Sequence, residues 1–294
     1  MNQERVRSIA IMLHERDLEA ESRNYRIWPI AENWRRSEID VRIVRGPELC
    51  SDADVLLPHI DCSYIHDDYW EVISAHRRVV NGAIRDIRKT SISENLLREG
   101  DQWDGPVIVK TNNNSGGFMD LEFSGRRGPT LLDRLRKRAA WHPLIQPRSL
   151  GWTKTLTDYP IFPHQADVPK AAWKNPHLVV ERFFLPDQNY EGEFVLYLWI
   201  VFGERGLGRT LLSSDPFIKN VSSSLGSFEN PPAEIIAVQN DFGIDYGKID
   251  YILHRGRPVL LDINRTPTVS GDAHSEGYIQ QCEELARGLV DIGR

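Results

Sequence analysis

Short apolar runs alternate with longer mixed segments along the first eighty residues. Ser8–Leu13 (Ser-Ile-Ala-Ile-Met-Leu) is a continuous run of buried-strand length, and residues 40–44 and 53–57 form two more. A polar and aromatic stretch over residues 25–36 separates the first two, with Pro29 where a helix can begin. Residues 68–77 have helical spacing, and Val79-Val80-Asn81 reads as a short strand ending in Gly82. Strands separated by helix-length segments predict a parallel sheet with helical crossovers.

The pattern changes after Ile84. Residues 87–98 predict an amphipathic helix with Ile92, Leu96 and Leu97 on one side. Residues 106–110 predict a strand running into Asn112-Asn113-Asn114-Ser115-Gly116-Gly117, and residues 131–140 a second helix. Residues 151–176 have no clear period; such a stretch, like the loop at 112–117, suits a lid or a substrate wall. Residues 178–184 and Phe194–Phe202 predict strands, the second buried on both faces. Gly203-Glu204-Arg205-Gly206-Leu207-Gly208 has the wrong order for a dinucleotide fingerprint and predicts a hairpin turn. Pro231 and Pro232 suit the first turn of a helix running to about Asp241. Residues 246–253 and 258–263 predict a hairpin across Arg255-Gly256, and Ile279, Cys282, Leu285, Ala286 and Leu289 mark one face of a closing helix.

Composition narrows the class. At 294 residues, 40% hydrophobic and 27% charged, this is an ordinary globular chain with room for two or three subdomains. Its longest apolar run, Phe194–Phe202, is too short to span a bilayer as a helix, and Met1-Asn2-Gln3-Glu4-Arg5 does not lead into a signal peptide. Cys50, Cys62 and Cys282 form neither a CxxC pair nor an even framework. These features predict a cytoplasmic protein with no membrane partner. The net charge of −6 and the isolated basic run at 134–138, read as a solvated helix face, predict no nucleic-acid partner. HExxH, GxSxG, Walker A and zinc-spaced Cys/His patterns are absent from the sequence.

Residues 245–268 (DYGKIDYILHRGRPVLLDINRTPT) carry the strongest chemical signal. Asp262 and Asn264 are two apart on a strand, so they project from one face ~7 Å apart. A three-residue loop, Arg255-Gly256-Arg257, sets Asp250 directly opposite Asp262, whereas a two-residue turn shifts the pairing by one and separates them. Facing carboxylates in a hydrophobic hairpin repel and are costly to bury, and a divalent cation removes both problems. Two carboxylates and an amide oxygen are hard ligands that suit Mg²⁺, with its other positions open to phosphate. For Asp262 or Asn264 taken singly, capping a turn before Thr266-Pro267 is the alternative.

The segment resembles the C-terminal signature of ATP-grasp proteins, in which a strand–turn–strand delivers an acidic residue and then an acid-x-Asn triplet followed by proline. Here these are Asp250, Asp262-Ile263-Asn264 and Pro267. The family more often has Glu at the position of Asp262 and a smaller residue at that of Arg265. The resemblance covers residues 84–294, strongest over 242–267, and the first eighty residues resemble the Rossmann-like domain that often precedes ATP-grasp domains.

The resemblance implies a mixed α/β and α+β fold. A Rossmann-like parallel sheet would occupy residues 1–82, and a two-subdomain ATP-grasp fold residues 83–294 (83–180 and 181–294), its halves closing around ATP. It implies that Lys110 and the earlier Lys89 contact the nucleotide, under a loop with Ser115, Gly116 and Gly117. Glu181, Arg182 and Phe183 match the hinge strand whose backbone reads the adenine edge, and either Asp187 or Glu193 takes the ribose. Lys219, in Lys219-Asn220-Val221-Ser222, resembles a residue near the γ-phosphate, and Arg209 could serve that charge or an acyl-phosphate oxyanion. His59 stands where ligands of such sheets bind, with a hydrogen-bonded structural histidine as the alternative.

The implied activity uses ATP and Mg²⁺ (up to two ions, with Mn²⁺ as a substitute) to activate the carboxylate of a small molecule or peptide as an acyl phosphate. An amine or similar nucleophile then displaces phosphate. A small-molecule kinase and an ATP-binding regulatory protein without turnover are the competing readings. A homodimer is the default assembly.

Overall fold

The computed structural model describes residues 6–48, 52–124, 150, 154, 156, 158–218, 224–269 and 275–292. The chain divides into two compact units: Met1–Asp61, Ile65–Arg85 and Pro186–Arg294 form the first, Cys62–Tyr64 and Asp86–Leu185 the second. Most of residues 1–85 and all of residues 186–294 thus share one unit.

In the first unit, β1 (Ser8–Leu13), buried throughout, is the centre of a parallel sheet between β2 (Asp40–Arg45) and β3 (Val55–Pro58). Helices α1 (Ile27–Arg36) and α2 (Asp67–Ala75) lie where helices were expected. The α1 helix buries Ile27, Ile30, Ala31 and Trp34, the i, i+3, i+4, i+7 spacing of one helical face. Val79–Asn81 does not form a strand; Val79 makes only an isolated bridge to Leu56.

The second unit holds a four-stranded antiparallel sheet. Its strands are β4 (Leu96–Leu97), β5 (Val107–Thr111), β6 (Ile161–Phe162) and β7 (Leu178–Arg182), in the order β4-β7-β5-β6. The amphipathic helix expected over 87–98 does not form. One turn, α3 (Lys89–Ile92), is followed by β4, whose Leu96 and Leu97 pair with Glu181 and Val180. Pairing with a buried strand outweighs the weak local helical preference. The stretch expected to be irregular carries β6 and a short helix, α5 (Lys170–Trp173), after the earlier α4 (Phe118–Phe123). The helix expected over 131–140 and the basic run at 134–138 lie outside the described residues.

The remainder of the first unit is an antiparallel sheet in the order β10-β9-β8-β11-β12. Its strands are β8 (Phe194–Phe202), β9 (Arg205–Ser213), β10 (Ser224–Phe228), β11 (Tyr246–His254) and β12 (Arg257–Asn264). The expected turn at Gly203-Glu204 joins β8 to β9, with Phe202 paired to Arg205. Helices α6 (Ala233–Asp241), immediately after Pro232, and α7 (Glu276–Ala286) complete the unit. On one face of β8, Ile200 and Phe202 join a core with Trp34 and with Cys282 and Leu285 of α7. On the other, Trp199 donates its indole N–H to Gln239 of α6 at 3.0 Å. The apolar strand is therefore covered on both sides, each large side chain removed from water contributing ~1.5–3 kcal/mol. One position differs from the expected α7 face: Ile279 is 40% exposed and Tyr278 points inward. The stripe from Tyr278 through Cys282 and Leu285 keeps the helical period, leaving Ile279 outside it. Among the described residues no helix is long and apolar enough to cross a membrane.

Candidate functional site

The candidate residues fall into two groups, one in each unit. In the first unit they are organised by the β11–β12 hairpin. Its turn has two residues, not the three expected: His254 pairs with Arg257 across Arg255-Gly256. Both turn residues have positive φ, 52° and 74°, as a type I′ turn requires. Continued regularly, this register would set Asp250 opposite Leu261. A bulge between Asp250 and Tyr251 takes up the extra residue, and Asp250 faces Asp262 after all. Pairing then continues with Ile249 opposite Ile263 and Lys248 opposite Asn264.

Cross-strand partners share a face, so the registers define a polar row. Arg209, Leu198, Asp250 and Asp262 stand opposite one another across β9, β8, β11 and β12, and Lys248 and Asn264 lie two residues along on the same face. Lys248, which the sequence reading did not single out, places its Nζ 2.9 Å from Asp250 Oδ2. Strand alternation was the available signal, since Lys248 precedes Asp250 by two.

Asn264 also has the turn role set out as the alternative: its Oδ1 accepts the Thr266 N–H at 2.8 Å. The Thr266 hydroxyl lies 3.2 Å from the same oxygen and 2.8 Å from Asp61 Oδ1. Its single proton belongs on the nearer, charged acceptor, which leaves Asn264 one lone pair for a cation. Asp61 also accepts from the Tyr25 hydroxyl at 2.8 Å, so the turn after β12 is braced by a buried network. Burial, with Asp61 beside it, pushes the Tyr25 phenol well above its ordinary range. Among the described residues no three His, Cys, Asp or Glu side chains gather at metal-binding range. A divalent ion would rest on Asp250, Asp262 and Asn264, a hard-oxygen set that fits Mg²⁺ with substrate oxygens in its other positions.

Other residues of this unit take more definite roles. Asp187 accepts from the turn amides of Arg255 and Gly256, one on each carboxylate oxygen and both at 2.7 Å. It closes the hairpin, whereas Glu193 is half-buried and accepts from the Asn189 side chain at 3.3 Å. Arg265 is buried and donates to the Ile84 and Arg85 carbonyls at 3.1 and 3.3 Å, fixing the chain after the parallel sheet. His59 is buried among Tyr25, Trp28 and Tyr246. Burial lowers its pKa to about 3, so it is neutral, and among the described residues neither ring nitrogen has a hydrogen-bond partner. It is thus neither exposed for substrate nor a hydrogen-bonded structural histidine. Arg209 is half-buried and donates to Gln281 Oε1 at 2.9 Å. Lys219, Asn220 and Ser222 lie outside the described residues.

In the second unit the centre is a buried ion pair. Lys110 on β5 and Glu181 on β7 approach to 2.7 Å (Nζ to Oε2), with side chains 11% and 3% exposed. Lys89, an expected contact that sequence alone left even with a surface position, is buried at the start of α3. Burial works to raise the Glu181 carboxyl, but the Lys110 ammonium, with hydrogen bonds from Lys110 and Ser93 and the Lys89 charge, holds it below the ordinary range. The strand-end lysine runs into the loop expected to cover phosphates. Ser115, Gly116 and Gly117 all have positive φ, and Ser115 is exposed. A Cβ on Gly116 would meet the Leu156 carbonyl at 2.5 Å and one on Gly117 the Lys154 carbonyl at 2.8 Å, so the glycines serve close backbone packing. On the hinge strand, Arg182 and Phe183 donate their amides to the Asn95 and Pro106 carbonyls, at 2.8 and 2.9 Å. Those two N–H groups are therefore already engaged within the unit. The Arg182 guanidinium lies over Trp103, 5.3 Å from the ring centre.

No protein-family model matches the chain, and no curated protein matches it. Among solved structures, the macrocyclase MdnC bound with precursor peptide MdnA, from Microcystis aeruginosa MRC, is similar over 97% of this chain and 99% of its own, with 10% identity and a TM-score of 0.52. A RiPP-associated ATP-grasp ligase from Chryseobacterium gregarium, in complex with ADP and a leader and core peptide, aligns over 97% and 96% with 9% identity and a TM-score of 0.49. D-alanine–D-alanine ligase from Bacillus anthracis aligns over 96% and 98% with 12% identity and a TM-score of 0.46. The chain has the ATP-grasp fold.

Proposed function

We propose that this chain is an ATP- and Mg²⁺-dependent ligase that activates a substrate carboxylate as an acyl phosphate for attack by an amine or similar nucleophile. The division into a Rossmann-like segment over residues 1–82 and an ATP-grasp domain over residues 83–294 is part of the proposal. The observation that carries it is the β11–β12 register, in which a bulge restores the Asp250–Asp262 pair that the two-residue turn would have separated. Bulges that re-aim side chains are over-represented next to active sites.

In this reading Asp250, Asp262 and Asn264 hold the ion, and the Thr266–Asp61–Tyr25 network fixes Asn264. Bound Mg²⁺ would neutralise charge on the phosphates. Lys110 and Lys89 donate to phosphate oxygens, and Glu181 keeps the Lys110 ammonium oriented. Glu193 takes the ribose. The carboxylate belongs to a small molecule or a peptide. Lys248 favours one rival, nucleotide binding without turnover, because it already supplies Asp250 with a cation.

The test is trapping. With ATP, Mg²⁺, hydroxylamine and a panel of small and peptide carboxylates, a ligase yields a hydroxamate and ADP in equal amounts. A kinase yields ADP with no hydroxamate from any carboxylate. ADP at background throughout, from protein that binds ATP, supports the binder and refutes the ligase.

A further inference from the structure

The first unit also holds a pair of arginines, Arg26 and Arg209. Arg26, just before α1, is only 4% exposed, and its Nε and Nη1 are buried without a hydrogen-bond partner among the described residues. Its guanidinium sits over the Tyr278 ring, 4.8 Å from the centre. The Tyr246 hydroxyl is likewise buried with no hydrogen-bond partner among the described residues, and the polar group beside Tyr278 and Arg26 is the neutral Cys282 thiol. Arg209 on β9 donates to Gln281, one turn along α7 from the Tyr278 that Arg26 covers, so both arginines meet the same stretch of that helix; burial, and then the Arg26 charge, depress the Arg209 pKa. Among the described residues neither arginine has a carboxylate within ion-pair reach; Arg209 has only the neutral Gln281. Two partly desolvated guanidinium groups at one stretch of α7, with no counter-charge among the described residues, are costly. A fold keeps such an arrangement where an anion completes it, and arginine is the residue suited to carboxylate and phosphate oxygens.

We propose that Arg26 and Arg209, with Tyr278 beneath Arg26, form an oxyanion-binding subsite for a carboxylate or phosphate group of the substrate. As a substrate subsite it rests on the ligase reading; as an anion site it does not. Its position bears on the substrate class. Arg209 stands two strands from Asp250 on one sheet face, about 10 Å at ordinary strand spacing. A substrate that reaches both therefore carries an anionic group in addition to the carboxylate being activated: a dicarboxylate, an acidic peptide or a phosphorylated acid.

The test is binding of inorganic phosphate and of glutarate, by calorimetry at fixed ionic strength, without ATP. Wild type is expected to bind at least one of them. Arg209→Gln, a half-buried position expected to fold, and Arg26→Lys, which keeps the charge but loses the planar donors, are each expected to weaken it about tenfold or more. The preferred anion assigns the ligand's chemistry. Asp262→Ala/Asn264→Ala, which removes the proposed ion site, is expected to bind the anion as wild type does. If wild type binds anions normally but not Mg²⁺–ATP, the ligase reading fails and the anion site stands. Wild type binding neither anion, or Arg209→Gln binding them unchanged, overturns the inference.

Discussion

Glu181→Gln should destabilise the second unit by about 3–5 kcal/mol at neutral pH, the range for removing one partner of a buried ion pair. The upper part of that range is expected, because the structure leaves more than one charge uncompensated. Lys110 lies 2.7 Å from the lost carboxylate oxygen with its side chain 11% exposed, and Lys89 is buried nearby. The sign of the pH dependence follows from the lowered Glu181 pKa. The folded state holds its proton less tightly than the unfolded chain, so the pair's stabilisation is complete above the unfolded value of about 4.3. It is lost as pH falls through the lower folded value. The assay is urea unfolding by tryptophan fluorescence, with hydrogen exchange of the β5 and β7 amides to localise the effect, at pH 7 and at pH 3. Wild type and variant should differ by several kcal/mol at pH 7 and by a smaller amount at pH 3, the reduction being at most ~1.8 kcal/mol. Glu181→Leu/Lys110→Met, which removes both charges, should recover most of the loss. A loss below ~1 kcal/mol at pH 7, or one as large at pH 3, would refute the idea that a buried, charged Glu181 organises this site.

Asp187→Ala removes the acceptor for two turn amides and should cost the β11–β12 hairpin ~1–3 kcal/mol, read by hydrogen exchange at Tyr251 to Leu253. Gly116→Ala, at φ +70° with the Leu156 carbonyl 2.5 Å from the added carbon, should cost more than ~2 kcal/mol in thermal or urea unfolding. Lys248→Met removes the cation 2.9 Å from Asp250, which faces Asp262, so the variant should melt lower than wild type and gain more from added Mg²⁺. His59, lowered to about 3 by burial, binds its proton less tightly folded than unfolded. Stability should therefore fall by up to ~1.4 kcal/mol per unit below pH ~6.5, and His59→Leu should flatten that slope in pH-resolved denaturation.

Much of the architecture was legible because it rests on local pattern. The apolar runs gave β1 and β8 to the residue, and the Gly203 and Arg255-Gly256 turns fell where expected. What failed was decided by partners distant in sequence. Residues 87–98 have a helical stripe, but Leu96 and Leu97 pair with β7 some eighty residues later. The Asp250–Asp262 pairing was anticipated for the wrong reason, since a two-residue turn and a bulge together do what a three-residue loop was expected to do. Asp187 sits where a ribose acid was sought, yet its carboxylate closes a turn that no local pattern links to it. Lys248 was readable from strand alternation; Arg26, a single arginine before a helix, was not.

The central claim is that the β11–β12 row binds Mg²⁺ together with ATP. Calorimetric titration of ATP with and without Mg²⁺, on wild type and on Asp262→Ala/Asn264→Ala, tests it most directly. The account predicts Mg²⁺-dependent binding in wild type that the double variant loses while remaining folded. Binding of equal strength in both proteins, or no binding by folded wild type, would contradict it.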